Sequence, residues 1–274
     1  MERAGKRPDT AALQKEELAA ALKNREFCVC YQPQVEMDTG NIVGAEALVR
    51  WKRPGSGLLL PGSFIPELEQ NGLMPLLDVE VLRIVCADIQ EAGEAGVCLG
   101  PVSVNLSRLY AGRYEGHRTC ALCLDDMGVR QQAESGALLF ELTETAEGGE
   151  GEHAIREFAG QLRENGFQIA MDDYGMGRST LKMLHQIPFD ILKLDRYFVS
   201  RIGGERAEKI LKSTISMAGE LGLKVVAEGV ETEEQAAFLL ENGCRLAQGY
   251  YYSGPLDRDA YIRYRREGRT GAAS

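Results

Sequence analysis

Polar residues with chemical capacity recur at one place in the pattern of this chain: at, or just past, the C-terminal part of short apolar runs. They are Gln32, Glu46, Asn105, Glu141, the adjacent pair Asp172 and Asp173, Lys193, Glu228 and Gln248. Brought to one place, carboxylates from four separate runs would repel one another and shift each other's pKa. One or two divalent cations would neutralise them. Oxygen ligands without His or Cys favour Mg²⁺, Mn²⁺ or Ca²⁺ over zinc. Adjacent Asp172 and Asp173 could serve two metals at once, a geometry suited to in-line attack on a phosphodiester. Lys193 would add a positive charge for a phosphate oxygen or the attacking water. Taken singly, each acid has a plainer reading as a helix cap or solvated loop residue, and Asn105 before Leu106 and Ser107 reads equally well as a cap. Lys193 between Leu192 and Leu194 resists that reading, because a buried ammonium needs a partner.

The runs that carry these residues predict strands at 27–34, 42–49, 101–105, 137–142, 168–172, 190–194, 224–227 and 245–248. Between them lie segments of helical periodicity. Segment 76–92 places Leu77, Val81, Ile84, Val85 and Ile89 at three and four spacing; 208–221 does the same with Ile210, Leu211, Ile215 and Ala218. Eight strands alternating with helices predict an α/β fold, a TIM-like (β/α)8 barrel, with an open doubly wound sheet as the alternative. In the barrel the C-terminal ends of the parallel strands share one face, where the polar residues would meet. The link 36–41 is too short for a helical crossover, so the first two strands are expected to form an antiparallel hairpin. Residues 1–12 and 268–274 read as flexible tails around a single barrel domain at 13–267.

The 274 residues are 44% hydrophobic and 26% charged, enough for a sizeable core. With 31 basic against 41 acidic residues, the formal charge of -10 argues against a surface for duplex DNA or RNA. No run of eighteen apolar residues is present and the start is charged, so a cytoplasmic protein with no membrane segment is expected. The seven cysteines suggest free thiols; Cys28 and Cys30 alternate on one strand face, and Cys120 and Cys123 form a CxxC with no second pair. His117, His153 and His185 lack metal-ligand spacing, and Trp51 reads as a packing residue. Asp173-Tyr174-Gly175 has no kinase companions, and Gly175-Met176-Gly177 is no dinucleotide fingerprint.

Over residues 18 to 264 the chain resembles the EAL domain family. The resemblance rests on Tyr31-Gln32-Pro33, Glu46-Ala47-Leu48-Val49-Arg50-Trp51, Ser103-Val104-Asn105-Leu106-Ser107, Glu141-Leu142-Thr143-Glu144-Thr145, Asp172-Asp173-Tyr174-Gly175-Met176-Gly177, Lys193-Leu194-Asp195-Arg196, Glu228-Gly229-Val230-Glu231-Thr232 and Gln248-Gly249-Tyr250. It implies a barrel with an antiparallel first strand and hydrolysis of cyclic di-GMP to linear pGpG with two Mg²⁺ or Mn²⁺ ions, Ca²⁺ being a candidate inhibitor. By the same resemblance Glu46, Asn105, Glu141 and Asp172 match the principal metal ligands and Asp173 the ligand of the second metal. Lys193 would orient water and phosphate, Glu228 would be general base or a partner of metal-held water, and Gln248 would help place the nucleophile. Gln32, Leu48 and Arg50 match substrate-binding positions, the forked Arg50 guanidinium suiting a phosphate. Glu144 matches a residue holding the loop after Asp173, which in the family couples metal binding to dimerisation; Glu231 matches a supporting position. That loop departs from the commoner Asp-Phe-Gly-Thr-Gly-Tyr-Ser-Ser at Tyr174, Met176, Arg178 and Thr180, which puts the dimer contact, more than activity, in question. A homodimer, and an upstream sensory or GGDEF domain if the chain is a fragment, are further implications. A catalytically silent receptor for cyclic di-GMP is the alternative function, and a pure interaction scaffold a third.

Overall fold

A computed structural model describes residues 15–106, 129, 135–143, 150–175 and 180–267. The expected tails, Glu144, the Cys120 and Cys123 pair, His117, and Met176 with Arg178 lie outside the described residues.

The predicted apolar runs become strands β1 (Phe27–Glu36), β2 (Ile42–Arg53), β4 (Val102–Leu106), β5 (Leu138–Thr143), β6 (Gln168–Tyr174), β7 (Ile191–Leu194), β8 (Lys224–Glu228) and β9 (Leu246–Gln248). A short β3 (Gly57–Leu59), too brief to show a period of its own, pairs with the far end of β2. Strand neighbours run β1, β9, β8, β7, β6, β5, β4, β2, and the β1–β2 pairing joins the two ends into a ring of eight. That closure excludes the open sheet. β1 is antiparallel to both β2 and β9, while the other neighbours in the ring are parallel. The expected hairpin is therefore present, and longer than expected, pairing Phe27 with Trp51 at one end and Gln34 with Gly44 near the other.

Helices α1 (Lys15–Lys23), α2 (Ile65–Gln70), α3 (Met74–Glu94), α4 (Glu150–Glu164), α5 (Thr180–Gln186), α6 (Arg196–Val199), α7 (Glu205–Glu220), α8 (Glu233–Glu241) and α9 (Arg258–Glu267) accompany the ring. Leu77, Val81, Leu82 and Val85 bury one stripe of α3, and Leu211, Ile215 and Ala218 one stripe of α7. Ile210, expected on that stripe, is 41% exposed, because one residue is a 100° step around a helix. Ile84 and Ile89 are only partly buried and pack against the core from the edge of the α3 stripe. Trp51 is a packing residue: it stacks on Phe27, meets Phe64 edge-on, and its indole N–H donates to Glu26 Oε2 at 3.0 Å. Cys86 and Cys244 are buried free thiols, Cys28 and Cys30 are half-buried, and Cys98 is exposed. His153 and His185 are exposed. No helix among the described residues is long and apolar enough to cross a membrane.

Candidate active site

Parallel strands present alternate residues to the ring interior, so residues paired across neighbours share a face. Asn105 is paired with Glu141, and Glu228 with Gln248. At the centre stands Lys193 of β7, 1% exposed, whose Nζ lies 2.6 Å from Glu141 Oε2, 2.6 Å from Glu228 Oε1, 2.9 Å from Asp172 Oδ1 and 3.4 Å from Glu46 Oε2. The buried ammonium that the sequence could not explain away thus has partners from four other strands. Asn105 donates to Glu46 Oε1 at 3.0 Å, and Gln248 donates to Glu46 Oε2 and, at 3.3 Å, to Gln32 Oε1.

Asp173 reaches this group by a local irregularity. Neighbouring residues of a regular strand point to opposite faces, yet carboxylate oxygens of Asp172, Asp173 and Glu228 lie within 4.8 Å of one another. Two features reconcile these facts: Asp173 has a left-handed φ of 53°, and the β6–β7 register shifts between Met171 and Tyr174. Such shifts re-aim side chains beside active sites, and Asp tolerates the left-handed region better than most residues. Gly175 completes the turn with φ 92°, and a Cβ there would meet the Phe198 ring at 2.8 Å. At the far side Gly249 presses its backbone onto the loop after β8, where a Cβ would fall 2.1 Å from Val230 O. This contact, with Val230 N donating to Gln248 O, locks the ends of β8 and β9 together.

The electrostatics follow from burial. Desolvation, then the Glu46 charge, holds Glu141 well above the usual carboxylate range. Burial pushes Glu228 up to about 8 against the pull of Lys193, and burial with the Asp172 charge pushes Asp173 up to about 6. For Lys193, burial opposes the charged form more than any one neighbour favours it; Glu141, Glu228, Glu46 and Asp172 together still raise its pKa well above the ordinary value. Among the described residues, buried Glu141 Oε1 accepts no hydrogen bond, and Asp172 Oδ1 and Glu228 Oε1 have the shared Lys193 ammonium at 2.9 and 2.6 Å but no further donor. Buried acceptors left in this way, in a donor set made of oxygen, fit hard divalent cations. Asp172, Asp173 and Glu228 are the residues placed to hold one, with Glu46, Asn105 and Glu141 around them.

A cavity of about 460 Å³ opens beside the acids, lined among others by Leu48, Pro61, Met74, Asp78, Asn105 and Asp173. Leu48 thus lies on the cavity wall. Arg50 is buried, opposite Cys28 in the hairpin, and its guanidinium donates to Val49 O at 2.8 Å rather than to the acids. Glu231 is exposed; its backbone N–H is held by Gln235 at the start of α8. Two residues escape a reading by sequence. Asp78 is a buried acid on the cavity wall, signalled only by an acid standing among Met74, Leu77 and Val81 on the apolar stripe of α3. Gln34 donates to Gln248 Oε1 at 3.3 Å, and its only signal is that it lies two residues past Gln32 on the same strand face.

Comparison with known proteins finds relatives of one family and fold. The model of the EAL domain family matches residues 15–255. The cyclic di-GMP phosphodiesterase NbdA of Pseudomonas aeruginosa is 39% identical over 265 residues, 94% of this chain and 33% of NbdA. The cyclic di-GMP phosphodiesterase RocR of the same organism is 32% identical over 253 residues, 90% of this chain and 62% of RocR. The solved c-di-GMP complex of the PaMucR phosphodiesterase superposes with a TM-score of 0.78 at 32% identity, covering 89% of this chain and 97% of that one. The chain spans about a third of the length of NbdA and under two thirds of RocR.

Proposed function

Since the chain belongs to the EAL domain family, we propose that it hydrolyses one phosphodiester of cyclic di-GMP to linear pGpG with Mg²⁺ or Mn²⁺ bound at the barrel mouth. The observation that carries the proposal is the convergence of Glu46, Glu141, Asp172, Asp173 and Glu228 on one buried centre where four carboxylates share one ammonium and Glu141 Oε1 is left without a donor. Divalent cations held there would polarise the phosphate and acidify the attacking water.

The chain's own residues have roles that follow from their places. Glu46, Asn105, Glu141, Asp172, Asp173 and Glu228 form the cation cradle. Lys193 fixes four of these carboxylates in position and brings a positive charge to the phosphate and water. In the reaction the water oxygen joins phosphorus, the bond to the ribose 3′ oxygen breaks, and that oxygen takes up a proton. Glu228, at the rim of the buried group, is suited to receive the proton that water gives up. Gln248, held by its amide to Glu46, helps place the water. Gln32 and Leu48 contact the dinucleotide, and Arg50 meets a phosphate once it turns from Val49 O. Homodimerisation, a role for Glu144 in it, support from Glu231, attachment to a sensory or GGDEF domain, inhibition by Ca²⁺ and a place in the cytoplasm belong to the same proposal.

The test is to incubate the purified chain with cyclic di-GMP and Mg²⁺ or Mn²⁺ and to separate the products by chromatography. Formation of pGpG is expected, and Glu46→Ala should reduce the rate by roughly 10²- to 10³-fold, as loss of a group that stabilises developing charge does. Tight binding of the dinucleotide with no pGpG would replace the enzyme by a receptor, and no binding at all would leave an interaction scaffold.

A further inference from the structure

Side-chain amides at the β1–β9 seam form a directional chain. Its ends are groups that can only accept: the Glu46 carboxylate and the backbone carbonyl of Ser253. Gln248 must therefore turn its NH₂ toward Glu46, and the same NH₂ also reaches Gln32 Oε1 at 3.3 Å. Gln32 in turn spends its NH₂ on Ser253 O at 3.3 Å. That leaves the carbonyl of Gln248 facing β1, where Gln34 Nε2 donates to it at 3.3 Å. Gln34 is seated for this. Val35 pairs with Ala247 and Glu36 with Leu246, so Gln34 lies opposite Gln248 one step further along. Across the other side Gln34 pairs with Gly44, and its own Oε1 lies so close that a Cβ on Gly44 would be 3.3 Å away. With its carbonyl end against Gly44, Gln34 offers its NH₂ to Gln248.

An amide is nearly symmetric in shape, so packing alone does not choose between its two flipped states. In the flipped state Gln248 would direct its carbonyl at Glu46, and Glu46 Oε2 would lose the amide donor it now has. We propose that Gln34 is a positioning residue: by donating to Gln248 Oε1 it reinforces the rotamer whose NH₂ serves Glu46 and Gln32, and so helps hold Glu46 in the orientation the reaction uses. The inference rests on the hydrolase reading for its kinetic consequence, while the amide orientation itself does not.

The hydrogen-bond sense can be reversed without changing the shape. In Gln34→Glu the introduced carboxylate competes with Glu46 for the Gln248 NH₂; in Gln34→Lys a donor is retained. Groups that orient metal ligands typically change activity by about 10- to 100-fold. The expected result is a kcat about 10-fold lower for Gln34→Glu, within about 3-fold of the parent for Gln34→Lys, and no further loss when Gln34→Glu is added to Gln248→Leu. In a ¹H,¹⁵N correlation spectrum, the Gln248 side-chain NH₂ pair, assigned by its loss in Gln248→Leu, should move in Gln34→Glu and stay in place in Gln34→Lys. Equal kinetic losses in the Glu and Lys variants, or an unmoved Gln248 signal, overturns the proposal. If the parent makes no pGpG, the hydrolase reading fails by itself, and the NH₂ signal alone decides the role of Gln34.

Discussion

A carboxylate taken out of water keeps its charge only beside a cation, and otherwise keeps a proton. In the barrel mouth Glu46, Glu141, Asp172 and Glu228 share the single ammonium of Lys193, too little charge for four acids. Glu228, raised to about 8, therefore holds its proton at pH 7 in the metal-free chain, while Asp173, raised to about 6, has mostly given its proton up there. Ligands bind cations deprotonated, so uptake of Mg²⁺ or Mn²⁺ at pH 7 should release on the order of one proton per chain. The sign follows: affinity rises as pH rises toward 8, and the release shrinks above it. Titration of Mn²⁺ into weakly buffered protein with an indicator dye measures this directly, and a silent dye would mean the acids are already ionised. Glu46, Glu141, Asp172 and Glu228 are legible in sequence because each stands in, or just past, the C-terminal half of an apolar run, which places it toward one end of a strand. Gln34 and Asp78 are not, since each looks like one more polar residue until the ring brings Gln248 or the cavity opposite it. The reach of Arg50 is equally invisible, because a long side chain chooses its partner after the fold has formed.

At the scale of elements, the β1–β2 hairpin and α9 bear on the site from outside. Tyr261 of α9 is fully buried and its hydroxyl lies 2.8 Å from Leu99 O and 3.2 Å from Gly44 O, tying the last helix to the hairpin and to the approach to β4. Tyr261→Phe keeps the ring and strands those carbonyls, so it should cost about 1–2 kcal/mol in urea unfolding while leaving the acids in place. Hydrolysis per folded molecule is expected to be unchanged; a fall in kcat would mean that the hairpin itself drifts. The strands were readable as apolar runs, and the hairpin from a link too short to cross the sheet. β3 was not, because three residues anchored only by β2 carry no periodicity of their own. The Asp172–Asp173 irregularity was likewise hidden, since a doublet of acids says nothing about a left-handed φ.

For the whole molecule, closing the ring brings its negative charges together, and Lys193 of β7 reaches β2, β5, β6 and β8 from a single atom. Removing that ammonium leaves buried acids that repel across the barrel. Lys193→Met keeps the length and removes the charge, and breaking buried pairs of this kind costs about 3 kcal/mol or more. For a chain of this size that corresponds to a fall in Tm of roughly 5 °C in the presence of a chelator. Cations bound at the acids would supply the missing charge, and ligand at a hundredfold excess over Kd contributes about 2.7 kcal/mol. Mg²⁺ or Mn²⁺ should therefore recover most of the lost Tm in Lys193→Met, and raise it further than in the parent, where Lys193 already shares the task. Differential scanning calorimetry of both proteins, with and without chelator, separates the outcomes. Equal metal-induced shifts would show that Lys193 and the cations do not answer the same repulsion, and the barrel mouth would then have to be stabilised by its protons alone.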